Sequence, residues 1–361
     1  MLKALSLAER GVGSVEPNPA VGCVIVKSGK IIGKGRHEKS GENHAELNAL
    51  ESCKTSVAGA TMYVTLEPCC HQGKTPPCTD AIIAARPAKV VIANIDPSPH
   101  ANGKGVEILR RAGIEVQVGL CEEQARPLNA PFFKFVTTGR PWVILKWAQS
   151  IDGKAAYKNA TQRWISNELS RKDVQKLRRR VQAILVGINT VLADDPLLTI
   201  RPGIKGKPLR IVLDGKLRIP MGSNLLRTCR KVPIIIVSNR QAIEENPDIA
   251  AKIEQKGGEI FPVPSRDGLC ELGPLLDELG KRKAVRLLVE GGPKVITSFL
   301  KERLADEIRV YIAPKILGAQ GRVNITEPMA ELSKVVGLHH VDIKRFGDDA
   351  RLSGLPKKTP D

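Results

Sequence analysis

The chain has 361 residues, of which 42% are hydrophobic and 26% charged; this excludes a wholly disordered protein and suits two globular domains. Its 56 Lys and Arg against 38 Asp and Glu give a net charge of +18, which bears on partners rather than on fold. No apolar run approaches the roughly 18 residues of a spanning helix, so no membrane contact is expected.

Met1–Gly11 reads as an amphipathic helix without the apolar core or cleavage site of a signal peptide, which points to the cytoplasm. Ala20–Val26 and Ile31–Gly35 read as a hairpin around Ser28-Gly29. Helices are expected at His44–Cys53, Cys78–Arg86 and Val106–Ala112, and strands at Thr61–Leu66, Lys89–Ala93 and Glu115–Val118. Such alternation predicts a three-layer α/β domain. A charged helix at Glu122–Arg126 and an aromatic stretch, Phe132–Phe135, lead to the turn-rich Thr137–Pro141. The domain boundary is placed there, giving residues 1–141 and 142–361.

A second α/β series has strand-like runs at Trp142–Trp147, Ala183–Val186, Leu209–Leu213, Pro233–Val237, Glu259–Val263, Val285–Val289 and Glu307–Ile312. Helical patterns fall at Glu168–Arg180 and Val295–Leu304, and the tail from Pro356 is expected to fray. No repeat is visible.

The eight cysteines stand at 23, 53, 69, 70, 78, 121, 229 and 270. Three within ten positions, in a long chain without a secretion signal, favour a metal site over disulfides. The sharpest pattern is His44-Ala45-Glu46 with Pro68-Cys69-Cys70 and Cys78. A His and two Cys on zinc, with an unligated Glu two residues after the His, is the pattern of the zinc deaminases. Three such ligands leave a fourth position open for water, whose pKa the metal lowers toward neutrality. Glu46 would then take the water proton and pass protons to the ring nitrogen and leaving amine. The ligand cysteines are separated by eight residues rather than two, with Cys70 and His71 as rivals; Cys69 and Cys78 are favoured because Cys70 should point away in an extended turn.

These residues, with Pro17-Asn18-Pro19-Ala20-Val21-Gly22 upstream and Gly-Lys-Thr-Pro-Pro in the insertion, resemble the bifunctional riboflavin-biosynthesis enzymes. The resemblance continues through Lys146–Lys154, Arg163–Ser166, Gly187–Pro196, Glu290–Pro293 and Tyr311–Lys315, and so covers essentially the whole chain. It implies a cytidine-deaminase-like domain followed by a dihydrofolate-reductase-like α/β domain. The implied reactions are deamination of a diaminopyrimidinone ribosylamine phosphate and NADPH reduction of its ribosyl group to ribityl. One zinc would sit on His44, Cys69 and Cys78, with Glu46 as proton shuttle and Asn18 and His37 at the deaminase pocket. Ala148, Trp164, Thr190, Asp194 and the segment Gly292, Pro293, Lys294 would contact NADPH. Arg178, Leu198, Arg201 and Glu290 would hold the phosphorylated substrate. The family pattern is compatible with a homo-oligomer. Lys74 stands where the family usually has Arg, which keeps the charge and loses the fork.

Read without the resemblance, the second half says less. Glu290-Gly291-Gly292-Pro293 is a strand–turn–helix start suited to a phosphate or simply a β–α turn. Trp164 would be core, Arg178-Arg179-Arg180 a solvated face and Asp194-Asp195-Pro196 a turn. Asp152 and Lys154 are candidate acids for the reduction. Two rivals remain: a deaminase of another nucleoside, and a nucleic-acid-binding protein with a closed structural zinc. Charge speaks against the second: residues 1–141 carry a net +4 and 142–361 carry +14, so the positive excess lies away from the zinc motif. Aromatic residues are only 3%, which leaves little base-stacking surface.

Overall fold

Short apolar strands punctuated by glycine turns build the first sheet. The computed structural model describes residues 1–72, 76–158, 164–200, 207–266 and 268–357, in two compact units, Met1–Arg140 and Pro141–Asp361. The first unit runs α1 (Leu2–Glu9), β1 (Gly22–Lys27), β2 (Lys30–Arg36), α2 (Ala45–Glu51), β3 (Thr61–Leu66), α3 (Cys78–Ala85), β4 (Lys89–Asn94), α4 (Lys104–Arg111), β5 (Glu115–Val118) and α5 (Glu122–Thr138). The sheet order is β2-β1-β3-β4-β5, antiparallel through β1 and parallel from β3 to β5. Ser28 and Gly29 both take positive φ, which matches the twist of a two-residue hairpin. Ile25, Met62, Val64, Ile82, Ile92 and Leu109 are fully buried in its core. A Cβ at Gly35 would lie 2.2 Å from the Ala45 carbonyl, so glycine lets α2 close down on β2.

The helix expected at Glu122–Arg126 runs further, since α5 continues through the aromatic stretch to Thr138 with Pro127 and Pro131 inside it. Each proline removes a helical hydrogen bond. Tertiary contacts override that cost: the buried Asn129 side chain accepts from Ala20 N and donates to Ala20 O, both at 2.9 Å, and Phe132 enters the core.

The second unit contains β6 (Trp142–Ser150), α6 (Glu168–Arg178), β7 (Ala183–Gly187), α7 (Ile188–Asp194), β8 (Leu209–Leu213), α8 (Asn224–Arg227), β9 (Ile234–Asn239), α9 (Arg240–Glu245), α10 (Pro247–Lys256) and β10 (Glu259–Val263). The small ribbon of β11 (Ser265–Arg266) and β12 (Leu269–Cys270) precedes α11 (Leu272–Lys281), β13 (Arg286–Glu290), α12 (Pro293–Lys301), β14 (Glu307–Ala313), α13 (Thr326–Met329), β15 (Leu338–Phe346) and β16 (Asp349–Pro356). Nine strands lie in the order β10-β9-β8-β7-β13-β6-β14-β16-β15. All pair in parallel as far as β14; β16 and β15 add an antiparallel edge. Val143 and Leu145 join one apolar cluster and Ile144 the other, so alternation along β6 feeds a core on each face. The terminal hairpin had no place among the expected elements. Its β15 is polar and almost wholly exposed, so it lacks the buried alternation that marks a strand.

Candidate functional site

In the first unit, β3 ends at Leu66 and the chain turns at once into Pro68-Cys69, while Cys78 opens α3 and His44 caps α2. Three chain segments thus deliver three donors to one point. His44 Nδ1 lies 3.4 Å from Cys69 Sγ and 3.3 Å from Cys78 Sγ, and the three ligand atoms all fall within 4.8 Å of one another. Cys69 Sγ also accepts the Cys78 backbone N–H at 3.3 Å, a bond that favours thiolate. Hydrogen bonds from the Cys78 thiol and His44 hold the Cys69 thiol down to about 4, against its burial. Cys78 is pushed up, by sharing its proton with Cys69 and by burial. Two sulfurs and an imidazole are the borderline-soft set that zinc selects, and no fourth side chain joins them among the described residues. That is the open geometry, and the closed site required of a structural zinc is not formed by these residues.

Glu46, in the first turn of α2, is only 3% exposed. Burial, then the neighbouring Cys69 charge, pushes its carboxyl up to about 7, with His44 pulling the other way. The His37 ring meets the His44 ring edge-on, centroids 5.1 Å apart, and the Asn18 side chain reaches His37 Nε2 at 3.2 Å. Asn18 and His37 therefore lie in a chain of contacts beside the metal cluster. Cys70 does not: its thiol turns toward the His100 carbonyl at 3.6 Å, and the His71 ring packs against His100. Glu67 has a supporting place the sequence did not disclose. Its buried carboxylate accepts four backbone N–H groups, from Asp96 (3.2 Å), Gly103 (2.9 Å), Gly105 (2.8 Å) and Val106 (3.3 Å). This ties the start of α4 to the residue two before Cys69.

In the second unit a cleft of about 1280 Å³ opens where β6, β7, β8 and β13 end at their carboxyl edges, the usual ligand position of such a sheet. Ala148, Trp164, Thr190, Asp194, Gly292, Pro293, Lys294, Arg178, Leu198 and Glu290 all line it. Arg201 lies outside the described residues, as do Lys74 and Arg163. Trp164 is 53% exposed, with the Arg171 guanidinium 5.2 Å from its ring, and so is a cleft wall rather than core. The Leu198 side chain is buried, so little of it faces the cleft. Gly291 and Gly292 take φ of +98° and +76°, which a side chain would resist, and they lead into the N-terminus of α12. That turn and the cationic Lys294 make a cradle fit for a dinucleotide phosphate.

At the cleft floor Arg178 grips Glu290 through Nε and Nη2, both at 2.7 Å, and its Nη1 donates to Thr199 O at 3.0 Å. Burial would raise the Glu290 carboxyl, but Arg178 and Lys146 hold it down to about 2. Arg178 is thereby a fork in a buried ion pair and not a solvated face. Lys146 also borders this clamp: its amine lies 5.7 Å from the Tyr311 ring centre, and burial pushes its pKa down. Lys216 and Arg218 also line the cleft, and no sequence motif marks either. Asp152 is committed elsewhere: its carboxylate accepts from Ser150 and from the Leu317 and Gly318 N–H groups.

A cytidine and deoxycytidylate deaminase zinc-binding region matches residues 1–94, and a RibD C-terminal domain matches residues 141–352. The riboflavin biosynthesis protein RibD of Aquifex aeolicus is 48% identical over 88% of this chain and 87% of its own length. The Escherichia coli protein of that name is 38% identical over 98% of this chain and 97% of its own. The chain belongs to the RibD family. Among solved structures, Acinetobacter baumannii RibD superposes with a TM-score of 0.84 at 36% identity, covering 99% of this chain and 98% of that one. A Thermotoga maritima deaminase/reductase gives 0.85 at 35%, covering 99% and 97%. As a RibD family member the chain is a bifunctional enzyme of riboflavin biosynthesis, a zinc-binding deaminase domain joined to a pyrimidine reductase domain. No helix among the described residues is long and apolar enough to cross a membrane.

Proposed function

We propose that residues 1–141 deaminate 2,5-diamino-6-(5-phosphoribosylamino)pyrimidin-4-one, and that residues 142–361 reduce the product's ribosyl group with NADPH. The product is 5-amino-6-(5-phosphoribitylamino)uracil. The observation that carries this reading is the convergence of His44, Cys69 and Cys78 beside the buried Glu46. His44, Cys69 and Cys78 would hold one zinc, which when bound supplies the Lewis acidity that makes water a nucleophile near neutral pH. Glu46 would take a proton from the attacking water and return protons to the ring nitrogen and the departing ammonia. Asn18 and His37 orient the ring beside it.

In the second cleft the Gly291-Gly292 turn, Lys294, Thr190 and Asp194 would seat the dinucleotide, and Ala148 and Trp164 its nicotinamide end. NADPH when bound supplies the hydride. Arg178, Arg201 and Glu290 would hold the sugar phosphate so that the opened ribose C1 faces it, with Leu198 contributing its backbone rather than its buried side chain. The expected partners are this phosphorylated pyrimidine and a second copy of the chain, with neither nucleic acid nor membrane. A cytoplasmic location suits eight unpaired cysteines, two of them metal-binding.

The test is one preparation assayed for zinc, ammonia release and substrate-dependent NADPH oxidation. Glu46→Gln should stop ammonia release from the diaminopyrimidine while leaving NADPH oxidation with the deaminated substrate intact. Ammonia release that survives Glu46→Gln overturns the proton-shuttle role.

A further inference from the structure

Arg210, the second residue of β8, is fully buried, and no carboxylate pairs with it among the described residues. A guanidinium has five N–H donors. Five acceptors meet this one: the carbonyls of Leu197 (3.2 Å), Leu225 (3.2 Å), Val232 and Pro233 (3.4 Å), and the Thr228 hydroxyl (2.8 Å). Four of these come from α8 and the turn that leads to β9, and make a local knot. The Leu197 carbonyl does not; it belongs to the strip Pro196–Thr199 that lines the reductase cleft. Two residues on, the Thr199 carbonyl accepts from Arg178, whose other donors grip Glu290. Between them Leu198 takes φ +50° with its side chain buried, a conformation a branched residue keeps only when its surroundings impose it. The strip is strung between two guanidiniums, one behind the site and one in it.

We infer that Arg210 is a positioning residue for the reductase: by fixing the Leu197 carbonyl it holds the strip where Thr199 anchors Arg178, and so sets the Arg178–Glu290 clamp against the substrate. The inference rests on the reading that this clamp holds the substrate. Only a planar fork reaches all five acceptors, and a lysine ammonium does not.

The test uses the full chain, with ammonia release as an internal control. Arg210→Lys should raise the KM for the deaminated ribosyl phosphate by roughly tenfold or more, since small misplacements near a site are costly. The KM for NADPH and the deaminase rate should stay at wild-type values. Arg210→Gln, which sheds the buried charge, gives the same reading where the lysine variant does not fold. Thr228→Val removes the other acceptor of the same Nη1 while leaving the Leu197 carbonyl its donor, and should lower the melting temperature without moving either KM. Arg178→Ala tests the underlying reading, and should raise the substrate KM. If Arg178→Ala raises it and neither Arg210 variant does, per active site, the positioning role is overturned and the clamp stands. If Arg178→Ala leaves it unchanged, the clamp reading falls and the inference with it.

Discussion

The Asn18 amide nitrogen lies 3.2 Å from His37 Nε2, and the other ring nitrogen, Nδ1, lies 3.0 Å from the Asn43 carbonyl. A carbonyl only accepts, so Nδ1 carries the proton and Nε2 accepts from Asn18. Burial pushes the His37 pKa down, which favours this neutral ring, with the Asn43 carbonyl opposing. The Asn18 oxygen is thereby turned away from the ring. His37→Leu removes the acceptor that orients the amide, a loss of about 1 kcal/mol. The expected result is a several-fold rise in the KM for the diaminopyrimidine at unchanged zinc content. Zinc loss in that variant would instead assign His37 to supporting the metal.

The choice among neighbouring cysteines is directly testable. Cys70 turns to the His100 carbonyl, while Cys69 and Cys78 face His44. Cys70→Ser should retain one zinc per chain after dialysis against a weak chelator. Cys69→Ser and Cys78→Ser should each lose it, because two donors hold zinc poorly in a site built for three. Zinc loss from Cys70→Ser with retention in Cys69→Ser reverses the assignment.

The metal site was legible because few residue types bind zinc, and its ligands stand at helix starts and a strand end that local pattern discloses. The second site was not legible in the same way. Arg178 and Glu290 are 112 residues apart and meet because β13 lies beside β7 in the parallel sheet, an order that no local pattern encodes. Arg178 reads as a solvated face because it stands in a run of three arginines, and of these only Arg179 and Arg180 are exposed. The part played by Glu67 is not visible in the sequence, since its four partners are backbone N–H groups without a sequence signature. The full length of α5 is not local either: Pro127 and Pro131 oppose a helix there, and local propensity is weak against the Asn129 clamp on Ala20.

That cradle makes Glu67 a strong stability determinant of the deaminase unit. Glu67→Gln keeps the shape but turns one acceptor oxygen into a donor, facing two N–H groups with nothing to accept them. The expected cost is about 2–4 kcal/mol, from lost charged bonds and buried donors left unmet. Chelator-treated and zinc-loaded protein should both melt earlier than wild type, and zinc should be released more readily. A variant that melts like wild type would show that the four bonds contribute little beyond what water supplies.

The Glu290 clamp predicts a pH dependence with a definite sign. Glu290 falls from its ordinary 4.5 to about 2 because Arg178 and Lys146 outweigh the burial that would raise it. A folded-state pKa below the unfolded one stabilises above the unfolded value and loses that contribution as pH falls through the folded value. The contribution is therefore full above about pH 4.5 and fades toward pH 2, with an upper size of roughly 3 kcal/mol. Glu290→Gln removes it and leaves Arg178 buried, with Lys146, beside a neutral amide; breaking one side of a buried pair costs about 3–5 kcal/mol at neutral pH. Urea unfolding of the reductase unit, followed at pH 7 and at pH 3 in wild type and Glu290→Gln, isolates the group from other titrating carboxylates. The wild-type advantage should be largest at pH 7 and shrink at pH 3. An advantage that is equal at both values would mean the clamp acts through shape and hydrogen bonding alone, with no charge linkage to folding.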